Sequence, residues 1–253
     1  MLADIREILI ISTPRDIPLF EELLGSGEQW GLNMEYAIQP KPEGLAQALI
    51  IAENFLDSQP SALILGDNIF FGNLLHQKLA AASKFTDGAT IFSYHVNNPE
   101  RYGVVEFTLD GKVLSLEEKP KDPKLSHAVT GLYFYDEQAP EYARRLTPSS
   151  RGELEITDLN KVYLTLGKLH VEQITRGYAW LDTGTHESLL EAQQFVHIIE
   201  RRQGLKIACP EEIALRKKWI DQGQVLNIAK QMPSSGYGQY LMHIVNEIEY
   251  EID

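Results

Sequence analysis

The sequence predicts an α/β fold in which a mostly parallel β-sheet is covered by helices on both faces. Two observations predict it. Short, β-branched apolar segments alternate along the chain with segments of helical periodicity, and the apolar segments lack a polar face. The length of 253 residues suits one large domain or a core with a smaller attachment. We expect a core at residues 1–205, with an antiparallel insertion, and a helical C-terminal extension at residues 206–253.

Strands and helices alternate in the first hundred residues. The predicted strands are 7–12, 34–39, 62–65 and 89–96, and the predicted helices are 14–24, 45–56 and 74–83. Thr13 is a suitable N-cap for the first helix, because Pro14 fits the first helical position and Gly25 fits the C-terminal end. The helix at 45–56 is predicted from its apolar residues, which recur at helical spacing.

The pattern changes after Pro99. Strands at 102–108 and 112–117 flank Asp110-Gly111, a turn pair typical of a β-hairpin. A strand at 129–135, a helix at 153–166, a strand at 169–174 and a long amphipathic helix at 186–203 follow. We therefore expect antiparallel strands inserted into the α/β core.

The charge of the chain excludes several classes of partner. There are 36 acidic and 23 basic residues, and the formal net charge is −13. Such a protein repels nucleic acid and anionic membranes, so we expect neither as a partner. No apolar run approaches the ~18 residues of a membrane span, no signal-peptide pattern is present, and Cys209 has no second cysteine to pair with. A cytoplasmic protein is the expectation.

Two aspartates occupy positions that suit a metal ion. Asp67 follows the third predicted strand after a glycine turn, at the sheet edge where ligands bind in open α/β folds. Asp182 precedes the long helix, whose N-cap is assigned to Thr185. Mg²⁺ favours one or two carboxylates together with substrate phosphate oxygens. Asp67 could equally cap a helix and Asp182 could be a turn residue, and only their convergence would distinguish these alternatives.

Three further segments carry groups suited to a nucleotide sugar. In the loop at 39–44, Gln39 offers a donor and an acceptor for a base edge, and Gly44 permits close approach to the backbone. Tyr102 beside Gly103, and the pair at 118–119, could bind sugar hydroxyls and a phosphate. Each segment is also compatible with an ordinary surface loop or turn, since charged pairs are usually solvated.

Taken in this order, the motifs resemble the sugar-nucleotide pyrophosphorylases. The resemblance rests on IREILIISTP (5–14), YAIQPKPEGLAQA (36–48), LILGDNIFFG (63–72), RYGVVEF (101–107), SLEEKP (115–120), VTGLYFYD (129–136), RGELEITDLN (151–160) and WLDTGTHESLLEA (180–192). These segments cover almost the whole chain.

The resemblance implies a Rossmann-like mixed sheet of the nucleotide-diphospho-sugar transferase type. It also implies Mg²⁺-dependent transfer of a thymidylyl group from dTTP to glucose 1-phosphate, giving dTDP-glucose and pyrophosphate, by a homotetramer serving nucleotide-sugar biosynthesis such as the dTDP-rhamnose pathway. Uridylyl or cytidylyl transfer stays open. So does a non-catalytic subunit that binds sugar nucleotides or supports oligomerisation.

The resemblance also implies roles for individual residues. Asp67 and Asp182 would bind Mg²⁺ and, with Lys119, form the catalytic set, while Gln39, Gly44 and Asp67 would contact the nucleotide. The glucose-phosphate pocket would comprise Asn68, Tyr102, Gly103, Glu118, Lys119, Val129, Glu153 and Trp180. A regulatory nucleotide site at subunit contacts would involve His76, Arg176, Glu212 and Arg216.

The sequence departs from the family pattern at one point. The family's first strand and its glycine-rich loop, of the type GGxGTRLxP, have no counterpart in these 253 residues. Such a loop cradles a triphosphate with backbone N–H groups and an arginine. We therefore expect a fold lacking the first strand and the phosphate loop, with impaired turnover and marginal stability.

Overall fold

The computed structural model describes residues 1–108 and 112–250, and the chain divides into two compact units. One unit comprises Met1–Ile38 with Gln203–Asp253, and the other comprises Gln39–Arg202. The chain re-enters the first of these units at Gln203, close to the boundary predicted near residue 205. The first 38 residues, however, lie with the C-terminal helices, because Trp30 donates from Nε1 to Glu211 Oε1 at 3.0 Å.

The strands and helices follow one another in the order that the sequence suggests, with two strands and one helix added. The strands are β1 (Glu7–Ser12), β2 (Asn33–Ile38), β3 (Ser61–Ile64), β4 (Asn68–Gly72), β5 (Ala89–His95), β6 (Gly103–Phe107), β7 (Val113–Glu118), β8 (His127–Tyr135), β9 (Leu169–Ile174) and β10 (Tyr178–Asp182). The helices are α1 (Ile17–Leu24), α2 (Gln47–Ile51), α3 (Glu53–Leu56), α4 (Leu75–Ser83), α5 (Ala139–Arg144), α6 (Ile156–Thr165), α7 (His186–Gln203), α8 (Pro210–Arg216), α9 (Gln222–Gln231) and α10 (Gly236–Tyr250).

Several element boundaries differ from the predicted ones for local reasons. Helix α1 begins at Ile17 and not at Pro14, because the Thr13 carbonyl and hydroxyl accept from the Asp16 amide and form a separate turn. The predicted helix at 45–56 is two short helices that meet at Ala52. Helix α6 begins at Ile156, since the residues before it are extended. The predicted Asp110-Gly111 turn lies outside the described residues, but β6 and β7 do pair antiparallel.

The unit at 39–202 contains a six-stranded mixed sheet. Its strand order is β7-β6-β8-β5-β9, and β3 pairs with β8. The prediction of a mostly parallel sheet is wrong for this unit: only β5 and β9 pair in parallel, and β8 runs antiparallel to β3, β5 and β6. Strand β8 is buried from Ala128 to Tyr135 and mostly apolar on both faces, so its sequence resembles that of a buried parallel strand.

Helices cover both faces of this sheet, as predicted. Ala89 and Ile91 of β5 belong to a buried core shared with α2, α5 and α6. The residue between them, Thr90, points to the opposite face, because side chains alternate along a strand. There it shares a cavity with residues of α4.

The other unit contains its own small core. Strands β1 and β2 pair in parallel, from Glu7 opposite Asn33 to Ser12 opposite Ile38. Helices α8, α9 and α10 bury a separate apolar cluster that includes Leu241 and Ile244. None of the described helices has the length and apolar composition of a membrane span.

Candidate active site

The two candidate metal ligands lie side by side at the end of a β-ribbon. Strands β4 and β10, both unforeseen from the sequence, pair antiparallel with Asn68 opposite Asp182. Asp67 immediately precedes β4, and its carbonyl accepts from the Thr183 amide at 2.9 Å. A methyl group built on Gly184 would lie 3.6 Å from Asp182 Oδ2 and 3.7 Å from Asp67 Oδ2. The two carboxylates therefore face the same small space.

The alternative interpretations of these aspartates are wrong. Asp67 does not cap a helix, because strand β4 follows it directly. Asp182 is the last residue of strand β10 and not a turn residue. The predicted cap of the long helix is present, with Thr185 Oγ1 accepting from the Ser188 amide at 3.1 Å. Neither aspartate is therefore occupied in capping α7.

Two side chains hold Asp182 from one side. The Tyr102 hydroxyl donates to Asp182 Oδ1 at 2.7 Å, and Arg101 Nη2 lies 3.4 Å from Asp182 Oδ2. Burial, followed by the hydrogen bond to Asp182, raises the pKa of Tyr102 to about 12. Tyr102 thus remains a protonated donor across the physiological pH range, and its ring packs edge-on to Trp180 at 5.1 Å.

Asn68 connects Asp67 to the sheet. Its Oδ1 accepts from the Gly131 amide at 3.0 Å and from Trp180 Nε1 at 2.6 Å, while its Nδ2 donates to Asp67 Oδ1 at 2.7 Å. Gly131 permits this arrangement, because a Cβ there would lie 2.6 Å from Asn68 Oδ1. Asn68 therefore orients both a candidate metal ligand and the indole of Trp180.

A second group of predicted residues converges over Gly103. A Cβ on Gly103 would meet Thr157 Oγ1 at 2.9 Å, Glu118 Oε2 at 3.4 Å and Val129 Cβ at 3.9 Å. The buried Thr157 hydroxyl donates to Glu118 Oε2 at 2.6 Å and so sets the direction of the carboxylate. The sequence reasoning missed Thr157, although it lies within one of the eight motifs.

Two cations lie near Glu118. Lys119 Nζ, half-exposed, is 3.9 Å from Glu118 Oε1, and Arg151 Nη2 is 3.6 Å from the same oxygen. Arg151 also approaches Glu153 at 3.5 Å and binds Glu155 at 2.8 Å. The hydrogen bond to Glu155 raises the pKa of Arg151. Arg151 was also missed, because no local signal distinguishes it from a surface arginine.

The loop at 39–47 is tied to the segment that precedes α6. Gln39 Nε2 donates to the Gly44 carbonyl at 3.2 Å and to Gln47 Oε1 at 2.7 Å. Gly44 has φ +104°, and a Cβ there would lie 2.3 Å from the Leu154 carbonyl oxygen. The glycine is therefore required for packing against Leu154, a reason that the sequence did not reveal. The Glu43 carbonyl accepts from the Leu154 amide at 2.7 Å.

The four predicted regulatory residues do not belong to a single unit. His76 and Arg176 are exposed in the unit at 39–202. Glu212 and Arg216 lie on α8 in the other unit, where they form an ion pair at 2.9 Å. Glu212 also accepts from the Tyr240 hydroxyl at 2.5 Å. Their regulatory role stays a prediction.

The carboxylate oxygens of Asp67 and Asp182 suit a hard cation that takes its other ligands from water and phosphate. No group of three or more histidine, cysteine or acidic side chains that could hold a metal occurs among the described residues. Asp67 and Asp182 offer carboxylate oxygens alone, and Mg²⁺ typically binds one or two carboxylates and completes its shell with water and phosphate oxygens. The aspartate pair therefore fits Mg²⁺.

Comparison with known proteins identifies the family. Residues 1–198 match the family described as nucleotidyl transferase. A glucose-1-phosphate thymidylyltransferase of Xanthomonas campestris pv. campestris is 56% identical over 241 residues, which cover 95% of this chain and 82% of that protein. The chain belongs to the nucleotidyl transferase family, among the glucose-1-phosphate thymidylyltransferases. It is accordingly an enzyme of the nucleotidyltransferase class.

Further relatives agree with this placement. The glucose-1-phosphate thymidylyltransferase of Neisseria meningitidis serogroup A is 52% identical over 247 residues, covering 98% of this chain and 86% of that protein. A candidate glucose-1-phosphate thymidylyltransferase from Bacillus anthracis, crystallised in complex with sucrose, superposes with a TM-score of 0.70 at 39% identity, covering 76% of this chain and 77% of that one. A UDP-glucose pyrophosphorylase complexed with UDP-glucose shares the fold, with a TM-score of 0.67 at 21% identity over 78% of this chain and 83% of that one.

Proposed function

We propose that this enzyme transfers a thymidylyl group from dTTP to glucose 1-phosphate in a Mg²⁺-dependent reaction, giving dTDP-glucose and pyrophosphate. The observation that carries the proposal is the pair of carboxylates, Asp67 and Asp182, that face one space beside the residues converging over Gly103. In the proposed reaction an oxygen of the sugar 1-phosphate attacks the α-phosphorus of dTTP in line, and pyrophosphate leaves. The protein contributes positioning and charge neutralisation and forms no covalent intermediate.

Asp67 and Asp182 would hold the Mg²⁺ ion. Bound there, Mg²⁺ would neutralise charge on the phosphate oxygens. The protein's own contribution is to orient both carboxylates: Tyr102 and Arg101 bind Asp182, and Asn68 binds Asp67. Side chains held by such contacts need little rearrangement when a ligand binds, so these contacts support a preformed site.

The sugar phosphate would lie over Gly103. Glu118, oriented by Thr157, would accept hydrogen bonds from sugar hydroxyls, and the half-exposed Lys119 would meet the phosphate. Val129 and Trp180 supply buried apolar surface to the same region, and Glu153 lies beside Arg151. We expect dTDP-glucose to bind to these residues. Asn68 would contribute by orienting Asp67 and Trp180.

The hydrogen bonds made by Gln39 favour a thymine or uracil base over a cytosine base. Both of its amide hydrogens are directed to the acceptors Gly44 O and Gln47 Oε1, which leaves Gln39 Oε1 as an acceptor for the base. The N3–H of thymine or uracil can donate to that oxygen, whereas cytosine can donate only from its N4 amino group and would have to shift along its edge to do so. We propose that cytidylyl transfer is disfavoured for this reason, while thymine and uracil are separated by groups other than Gln39.

We also propose that the 253-residue polypeptide, assayed by itself, turns over slowly. Its sequence contains no GGxGTRLxP segment, and a chain with net charge −13 needs cationic or backbone N–H groups to accept a triphosphate. Lys119 alone does not replace such a loop. Binding of dTDP-glucose depends less on these groups, because its pyrophosphate carries fewer charges than a triphosphate.

Calorimetric titration with dTDP-glucose and with Mg²⁺-dTTP tests the substrate assignment separately from turnover. We expect saturable binding of dTDP-glucose that Gln39→Ala weakens, and weaker binding of CDP-glucose. Failure of dTDP-glucose to bind would contradict the proposed function. A second assay measures pyrophosphate release from dTTP and glucose 1-phosphate. Turnover of about 1–100 s⁻¹, the range typical of kinases, would contradict the proposed impairment.

A further inference from the structure

A cavity of about 350 Å³ lies between α4 and the face of the sheet formed by β5 and β9. Its walls include Lys78 from α4, Phe85 from the segment just after α4, Thr90 from β5, and His170 and Glu172 from β9. None of these residues belongs to the candidate active site. The cavity lies wholly within the unit at 39–202.

The floor of the cavity contains an unsatisfied polar atom. Thr90 is 2% exposed, and its hydroxyl has no hydrogen-bond partner among the described residues. Leaving a buried hydroxyl without a partner destabilises the folded chain. A hydroxyl both donates and accepts, so a ligand atom of either kind would recover this energy.

The rim of the cavity has an aromatic side and a charged side. Phe85 is 44% exposed, and its ring lies 5.9 Å from that of His170 with a tilt of 41°. Beside them, Lys78 forms an ion pair with Glu172, whose Oε2 lies 3.9 Å from His170 Nε2, and Lys78 Nζ also lies 5.9 Å from the centre of the Tyr178 ring. The two rim charges therefore neutralise each other, and the ring of Phe85 remains partly uncovered beside them.

We propose that this cavity is a binding site for a neutral, planar aromatic heterocycle of about one or two fused rings. The size follows from the volume, which is at the lower end of the range for small-molecule sites. Planarity follows from the exposed rings of Phe85 and His170, on which a flat ligand stacks. The ligand is expected to be neutral because Lys78 and Glu172 already pair with each other. A charged ligand would lose its hydration and find no unpaired opposite charge on this pair. A heteroatom of the ring meets the Thr90 hydroxyl.

Titration of the full chain with 7-azaindole, followed by saturation-transfer NMR, tests the proposal without any substrate. We expect saturable binding to the wild type. Thr90→Val keeps the shape of the side chain and removes the hydroxyl, so affinity should fall about 5- to 10-fold. Thr130→Val is the matched control, because the Thr130 hydroxyl is equally buried and unpartnered but lies outside the cavity. Its affinity for 7-azaindole should equal that of the wild type.

Two further measurements separate this site from other modes of binding. Ala81→Phe fills the cavity from an exposed helical position and should abolish binding, with an unchanged circular dichroism spectrum as the check on folding. Benzoate, a charged ring of similar size, should bind at least tenfold more weakly than 7-azaindole. The proposal is overturned if 7-azaindole shows no saturable binding, if Thr90→Val binds it as well as the wild type, or if benzoate binds equally well.

Discussion

Gly131 allows Asn68 to approach the sheet, and replacing it with alanine should disturb the metal ligands from a distance. A Cβ at this position would lie 2.6 Å from Asn68 Oδ1 and 2.7 Å from its Cγ, well inside van der Waals contact. The Asn68 amide must then move. It would lose its hydrogen bonds to the Gly131 amide, Trp180 Nε1 and Asp67 Oδ1.

The three lost hydrogen bonds set the size of the effect. A net loss of about 1 kcal/mol for each bond, with a further cost for the indole N–H left buried, destabilises the fold by roughly 3–4 kcal/mol. Urea denaturation monitored by circular dichroism should report a midpoint lower by about 1–2 M, from denaturant slopes of ~2–3 kcal/mol/M, the upper part of the usual range, because the slope increases with chain length. The affinity for dTDP-glucose should fall at least tenfold, since Asp67 and Trp180 lose their orientation.

Two matched variants make this reasoning testable. Gly66→Ala adds a methyl group to a glycine that has no neighbouring atom within 4 Å, so its stability should stay within about 0.5 kcal/mol of the wild type. In an Asn68→Ala background, Gly131→Ala should cost little, because the clash partner is gone. If Gly131→Ala proves as stable as Gly66→Ala, the structural role assigned to Asn68 is incorrect.

Three other perturbations have defined outcomes. Asp182→Asn keeps an oxygen for the Tyr102 hydroxyl and removes one negative charge, so calorimetry should show at least tenfold weaker Mg²⁺ binding in the presence of dTTP. Thr157→Val removes the donor 2.6 Å from Glu118 and should weaken dTDP-glucose binding about 5- to 20-fold in the same assay. Burial, and then the charge of His95, lowers the pKa of His127 below its unfolded value. The unfolded chain therefore binds more protons, stability should fall as the pH drops below about 6.5, and His127→Gln should flatten that fall in urea denaturation.

Each of these perturbations has a control measurement. Asp87→Asn removes a carboxylate that pairs with Lys168 outside the site and should leave Mg²⁺ binding unchanged. Thr165→Val removes a hydroxyl that bonds the Lys161 carbonyl and should not affect sugar-nucleotide binding. For His127→Gln the control is the range above about pH 7.5, where the variant and the wild type should show the same pH dependence of stability because the imidazole is neutral in the folded and unfolded chain. Equal effects in a control and its test variant would contradict the corresponding role.

Local signals predicted some elements to the residue. Strand β1 is a β-branched apolar run that ends at Thr13-Pro14, and α7 begins directly after the Thr185 cap. Strand β9 has the same bounds in the prediction and in the structure. Each of these elements is specified by residues within itself or next to it, so no distant contact was needed to locate it.

The direction of strand β8 could not be predicted in this way. A buried strand is mostly apolar on both faces whether its neighbours run parallel or antiparallel. Its composition therefore does not indicate the direction of the neighbouring strands. Strands β4 and β10 were missed for a related reason. Each has five residues, and they form a ribbon only because they pair with each other across more than a hundred residues of chain.

The candidate site also combines features that the sequence predicts with features that depend on the folded structure. The sequence by itself determined which residue types are available for the chemistry: Asp67, Asp182, Glu118 and Lys119 stand in motifs whose order identifies the family. Only the tertiary structure decided that the two aspartates face one space across Gly184, because that depends on the register of β4 against β10.

The supporting residues belong entirely to the tertiary structure. Thr157 and Arg151 approach Glu118 from the segment around the start of α6, and Gly131 matters only because Asn68 reaches it from β4. Chain periodicity reports which side of an element is buried, but hydrogen bonds between distant side chains have no periodic signature. Residue identity therefore comes from the sequence, and the positions that orient the reactive carboxylates come from the packing of the folded chain.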